Sequence, residues 1–328
     1  MHVKSDIFMK PEFGRKTRNF LNLGASMPSL EKLIYDKNAI IPIVMMNWFV
    51  KGQRIITITG RQGSGKTVFL KALIRLIPPE YTLRVSDAGH ELTLKELYPQ
   101  RNVTTVSLNE THNMDIKDKQ VCIIGELGKS SETYYAIRPD AINCLYSLFT
   151  HHANTTHNLV TALANNLLAS GKYDDSRNAI SIVSNALNID CHMEISTHGD
   201  RHISRITEII PLYSENNIAQ SSTKQARFTT QNIVRRYPII KDGHEEIDEN
   251  GNTMGIFKFE NLPSEKMMEE IKSKLQLDEI AEFENDMRML KLVSEKGDDD
   301  EEVRDWVQVK LLALKTAQDL CVAERTSI

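Results

Sequence analysis

The chain is poor in the features that most quickly place a protein. Only four cysteines occur in its 328 residues (Cys122, Cys144, Cys191, Cys321), far apart and with no C-x-x-C pair. That excludes a disulfide scaffold and a thiolate zinc site, and fits reduced thiols in a cytosolic protein. Neither charge sign dominates. Forty basic against 44 acidic side chains leave a net charge of −4, so no global field draws the chain to nucleic acid or an anionic membrane. Long apolar runs are also missing: residues 39–50, the most apolar N-terminal stretch, are interrupted by Pro42 and Asn47 and are too short to span a bilayer. Residues 1–20 lack the apolar centre of a signal peptide. His151 and His152 are adjacent, but no further ligand-type residues follow them at zinc spacing.

What is present is concentrated in residues 54–77, which read as a buried strand, a glycine-rich loop and a helix. Within them Gly60-Arg61-Gln62-Gly63-Ser64-Gly65-Lys66-Thr67 fits G-x-x-x-x-G-K-[ST] at every fixed position. Glycines let successive backbone N–H groups turn inward around a triphosphate, where a side chain would block the approach. A lysine at position 66 can reach the outer phosphates, and the Thr67 hydroxyl can ligate Mg2+. The flanks agree. Ile55, Ile56 and Ile58 precede the loop, Phe69, Leu70, Leu73, Ile74 and Ile77 follow at helical spacing, and Pro78-Pro79 stops the helix. The expected class is α/β, a P-loop nucleotide hydrolase using ATP and Mg2+.

The rest of the chain yields further elements. Residues 81–86 read as a strand ending in Asp87…Glu91-Leu92, and residues 121–125 as a continuous apolar strand with Glu126 at its exit, where a carboxylate would stand near Mg2+ and the attacking water. A helix from residue 132 must break at Arg138-Pro139-Asp140. Residues 157–168 and 175–187 have amphipathic helical spacing, and residues 189–195 alternate strictly, which predicts a half-buried strand. Residues 201–210 return as a hairpin, and residues 228–240 with 255–260 make a second unit beyond a polar linker at 214–224. From Pro263 the chain is helical and charged. Residues 303–322 form an amphipathic helix, either packed on its own domain or presented to a partner.

The loop, then Asp87…Glu91-Leu92, then Ile124-Gly125-Glu126, then Thr150-His151-His152-Ala153-Asn154, form an ordered set. It resembles the motor ATPases of type II and type IV secretion and of Tad-type pili, with their Walker A loop, Asp box, V-G-E Walker B and T-x-H-A-N His box. Gly199-Asp200-Arg201 followed by Ile206-Thr207-Glu208-Ile209 looks like that family's basic hairpin, and the likeness covers about residues 20–275. Ser86-Asp87 stands where the family has Glu-Asp, and Gly128-Lys129 where it has arginine-glycine.

The resemblance implies a RecA-like core with β-hairpins at residues 52–262, a shortened N-terminal domain and linker at 1–51, and a helical extension at 263–328. It implies that Gly60, Gly63, Ser64, Gly65, Lys66 and Thr67 bind the nucleotide, that Thr67 and Glu126 hold Mg2+, and that Glu126 orients the attacking water. Glu91 would assist, and His152 would sense the γ-phosphate. Implied partners are further copies in a homo-oligomer, a hexamer in that family, and an integral membrane platform protein on the cytoplasmic side; nucleic acid is not expected. Arg15, Arg18, Arg54 and Arg84 are candidates for an arginine reaching into a neighbouring subunit's site. Two rival readings stay open, a nucleotide-binding regulatory or scaffold subunit with little turnover, and a P-loop motor acting on DNA.

Overall fold

A computed structural model describes residues 30–34, 36–87, 89–105, 119–128, 130–212 and 228–323. Arg15 and Arg18, the 214–224 linker and Lys129 lie outside the described residues.

In order, the elements are α1 (Leu30–Leu33), α2 (Ile40–Lys51), β1 (Ile56–Gly60), α3 (Lys66–Ile74), β2 (Thr82–Ser86), α4 (Leu94–Leu97), β3 (Val103–Thr105), β4 (Gln120–Ile124), α5 (Ser130–Ile137), β5 (Tyr146–His151), α6 (Thr156–Ala169), α7 (Ser176–Ala186), β6 (Ile189–Ile195), β7 (Arg201–Pro211), β8 (Phe228–Pro238), β9 (Ile240–Lys241), β10 (His244–Glu245), β11 (Gly255–Phe259), α8 (Glu265–Lys272), α9 (Leu277–Lys296) and α10 (Glu301–Ala323). One sheet runs β11-β8-β7-β6-β1-β5-β4-β2-β3. From β6 to β3 its strands are parallel, and β7, β8 and β11 extend it antiparallel.

β1 lies inside the parallel part, between β5 and β6, and all its residues are buried. Its sequence Ile-Thr-Ile-Thr-Gly explains how both faces are covered. Ile56 and Ile58 join the apolar cluster that holds Trp48 of α2 and Phe69 and Leu73 of α3. Thr57 and Thr59 point to the opposite face, where Phe149, Leu159 and Leu163 form a second cluster with Val183 of α7.

Two elements differ from the sequence expectation. β5 was not expected as a strand, yet it is inserted between β1 and β4 with Tyr146 to Thr150 buried. β6 is not half-buried: Ile189 to Met193 are all covered, because a strand flanked by β1 and β7 carries helices over the face that its alternation marks as polar.

α2 is apolar all round and correspondingly buried from Ile40 to Val50. It packs against β11, α8 and α9, with Trp48 set edge-on to Phe283 at 5.3 Å. α10 lies on α9 through the buried Val303, Val307 and Leu314, while Val309 and Leu312 are 70% and 68% exposed. The described part of this helix therefore packs on its own fold. Among the described residues no helix is long and apolar enough to cross a membrane.

Candidate functional site

The carboxyl ends of β1, β2, β4 and β5 lie at one edge of the parallel sheet, and β1 is where the chain changes the side on which it adds strands. Crevices outside such ends are where open α/β sheets bind ligands. Gly60 closes β1 at φ 140°, and a Cβ there would stand 2.2 Å from the Met193 carbonyl oxygen. Only glycine allows β6 that close. Gly63 and Gly65 follow at φ 78° and 91°, so the loop coils with its backbone inward. Gly65 is the N-cap of α3, and no side chain caps that first turn, which leaves its N–H groups and the helix dipole directed at the crevice. The Ser64 hydroxyl is fully buried with no hydrogen-bond partner among the described residues. A loop that leaves such a donor unsatisfied fits an anionic ligand.

Lys66 is 6% exposed, and its ammonium donates to the Gly60 carbonyl (3.1 Å), the Arg61 carbonyl (2.9 Å) and Nδ1 of His152 (3.3 Å). Burial lowers its pKa, while the charges of Glu126 and Glu91 pull it back up. On the far side of the His152 ring, Nε2 stands 2.9 Å from the Glu126 carboxylate. Nδ1 also lies 3.3 Å from the Gly60 carbonyl, so the His152 ring is held against the loop on one side and Glu126 on the other. Lys66, His152 and Glu126 thus form one line across the crevice.

The second line is shorter. Thr67 donates its hydroxyl to Glu91 at 3.2 Å, and Asp87 holds Glu91 in place by accepting the backbone N–H of Glu91 (3.2 Å) and of Leu92 (2.7 Å). A Cβ at position 125 would lie 2.8 Å from Asp87 Oδ1, so Gly125 makes room for that carboxylate. His151 sits beside the first line with Nδ1 3.0 Å from the Leu127 carbonyl, and burial lowers its pKa.

The structure thus brings together Gly60, Gly63, Ser64, Gly65, Lys66 and Thr67 with Glu91, Glu126 and His152. β5 separates the strand of the loop from the strand of Glu126, a span of about 10 Å that leaves room for a phosphate chain. Among the described residues no group of three or more His, Cys, Asp or Glu could hold a metal on its own. Mg2+ needs no such cage, since it takes one or two protein oxygens and fills its shell with phosphate and water. Oxygens of that kind line the crevice: the Thr67 hydroxyl beside Glu91, and the Glu126 carboxylate beside His152.

Two expected residues are elsewhere. Arg54 is buried against the Gly52 carbonyl (2.8 Å) and Glu270, and Arg84 is 2% exposed with its guanidinium on the Ile142 carbonyl. Neither can reach into a neighbouring subunit's site; both are fixed by partners distant in sequence. A cluster that the sequence reading missed lies beneath the loop. Thr59 Oγ1 is 2.5 Å from Asp190 and 2.8 Å from Nδ1 of His192, and Thr156 donates to the other Asp190 oxygen at 2.7 Å. Its one visible signal was polar residues alternating along β6.

No family model matches the chain, and no curated protein matches its sequence. Solved structures similar to it include the VirB11 ATPase of the Brucella suis type IV secretion system in complex with sulphate, at 20% identity and a TM-score of 0.42 over 51% of this chain and 53% of that one. The Legionella pneumophila ATPase DotB is similar at 13% identity and a TM-score of 0.39, over 92% of this chain and 66% of that one. The pilus retraction motor PilT with bound ADP is similar at 15% and 0.37, over 55% and 52%. The chain spans about half to two thirds of the length of these proteins. At such identities and scores the likeness fixes neither activity nor partner.

Proposed function

We propose that the chain is an ATPase of the secretion and pilus motor kind, whose hydrolysis drives movement between subunits. The observation that carries this reading is the line from the loop to the catalytic carboxylate. Lys66 is held by the loop's own carbonyls and meets His152, and His152 meets Glu126. With MgATP bound, the metal supplies charge neutralisation at the outer phosphates. Lys66 and the first-turn N–H groups of α3 take the phosphate oxygens, and Thr67 with Glu126 holds the metal. Glu126 orients a water for in-line attack. Glu91 fixes the Thr67 hydroxyl. His152, bonded to both Lys66 and Glu126, reads whether the outermost phosphate is present. Neighbouring copies in a ring and a membrane-embedded platform on the cytoplasmic side complete the proposal.

Steady-state hydrolysis and equilibrium nucleotide binding test it. Lys66→Ala removes turnover, and Glu126→Gln retains ATP binding while losing hydrolysis. Normal turnover by Lys66→Ala sinks the assignment of the loop. Tight binding without turnover in the wild-type chain, with the membrane platform present, leaves the regulatory-subunit reading instead.

A further inference from the structure

Asp190 is fully buried on β6, and hydroxyls from two different elements meet its two oxygens. One belongs to Thr59, the residue before Gly60 of the phosphate loop. The other belongs to Thr156 in the first turn of α6, four residues after His152. β6 is hydrogen-bonded to β1 in register, with Thr57 opposite Asp190 and Thr59 opposite His192, so the carboxylate lies against the stem of the loop. On the other side of β1, Thr59 is opposite His151.

The proton positions are determined by the partners. With the carboxyl ionised, Thr59 and Thr156 each donate to one of its oxygens, and His192 Nδ1 donates to Thr59 Oγ1. Both carboxylate oxygens then have a donor, and His192 Nε2 faces the Glu194 carboxylate at 3.7 Å. Burial pushes the Asp190 carboxyl upward, opposed by those two hydroxyls. A buried carboxylate is costly, and here its bonds bridge the two stems whose tips carry Lys66 and His152.

We propose that Asp190, through Thr59 and Thr156, is a positioning residue that fixes the loop and His152 relative to each other, and so sets how well the site tells a nucleoside triphosphate from a diphosphate. It rests on the reading that the crevice takes a nucleotide, and deepens it by separating two arms. The Thr59 arm holds the stem of the loop, whose backbone N–H groups contact the phosphates common to both nucleotides. The Thr156 arm holds His152, which faces the phosphate that only the triphosphate has.

Equilibrium titration of the full chain with fluorescent ADP and with a fluorescent, non-hydrolysable ATP analogue tests this without depending on turnover. Thr156→Val should cut the preference for the triphosphate analogue roughly 10-fold or more, leaving ADP affinity within about 2-fold. Thr59→Val should weaken both nucleotides alike, by about 10-fold, and leave their ratio unchanged. Asp190→Ala should show both effects. Thr156→Ser, which restores the hydroxyl, should restore the preference. Thermal unfolding of each variant reports any general loss of fold, which would move both affinities and not their ratio.

The proposal is overturned if Thr156→Val leaves the ratio as in wild type, or if Thr59→Val and Thr156→Val change it equally. Those results leave the nucleotide site standing, since wild type would still bind and Lys66→Ala would not. A wild-type chain that binds neither nucleotide overturns the site and the inference together.

Discussion

Asp190 and Asp286 are both buried aspartates, and the regions around them differ in how the charge is held. Asp286, on α9, takes the ammonium of Lys310 from α10, the Trp48 indole N–H from α2 (2.8 Å) and the Trp306 indole N–H (3.3 Å). Burial raises its pKa, against the charge of Lys310. Asp190 has hydroxyls in place of the ammonium and the indoles. The first arrangement bolts three helices together with a neutralised charge and two rigid rings. The second ties the glycine-rich loop to the segment that carries His152 through two hydroxyls.

The two can be followed separately, because both tryptophans of the chain sit on Asp286. Indole fluorescence reports the helical layer, and nucleotide titration reports the loop. The largest effect is expected at the bolt. Lys310→Ala leaves Asp286 as an uncompensated charge and should cost about 3–5 kcal/mol in chemical denaturation, with red-shifted emission. Nucleotide affinity of the folded fraction should not change. Replacing the pair together, Asp286→Leu with Lys310→Met, should return most of the loss; if it does not, the pair is more than a local clamp.

Next in size is Gly60→Ala. Its Cβ would stand 2.2 Å from the Met193 carbonyl in a backbone conformation that alanine rarely adopts, so the loop must distort. Nucleotide affinity should fall about 100-fold, equivalent to roughly 3 kcal/mol, with the emission maximum unchanged. Wild-type binding in this variant would mean that the approach of β6 does not shape the loop.

A pH titration of stability separates the regions again. Burial, with Arg205 and Lys66 nearby, pushes His192 from 6.5 down to about 4, and burial also lowers His151. Between these values the unfolded chain binds more protons. Stability from His192 is therefore complete above about pH 6.5 and is lost as pH falls toward 4, by an amount on the order of 3 kcal/mol. Asp190 works in the opposite sense, since its raised pKa favours the fold at the acid end. His192→Asn should flatten the slope between pH 6.5 and 5. An unchanged slope would place the acid sensitivity elsewhere.

The loop was legible in the sequence because its glycines answer a local demand, positive φ and a close carbonyl, which a motif can encode. The line of Lys66, His152 and Glu126 was legible as an ordered set of boxes, though β5, which puts His152 there, was not read as a strand. Its Ser147 and Thr150 interrupt the apolar pattern, and both are buried by neighbours far along the chain. The same cause hid Asp190 and His192. Alternation says which side chains share a face, and cannot say that helices cover both faces. Arg54 and Arg84 show the converse: their partners Glu270 and the Ile142 carbonyl lie 216 and 58 residues away.

The smallest effect belongs to the surface of the helical layer. Arg288 and Glu302 join α9 to α10 at 2.8 Å, in the same layer as the Asp286 bolt, but their side chains are 58% and 56% exposed. Water screens this pair and already solvates each partner alone. Arg288→Ala should therefore change stability by less than about 1 kcal/mol, and by less still in high salt. A loss comparable to that of Lys310→Ala would show that the layer is held by its charges wherever they lie. A negligible loss would assign the difference to burial, since two ion pairs joining the same helices then differ mainly in access to water.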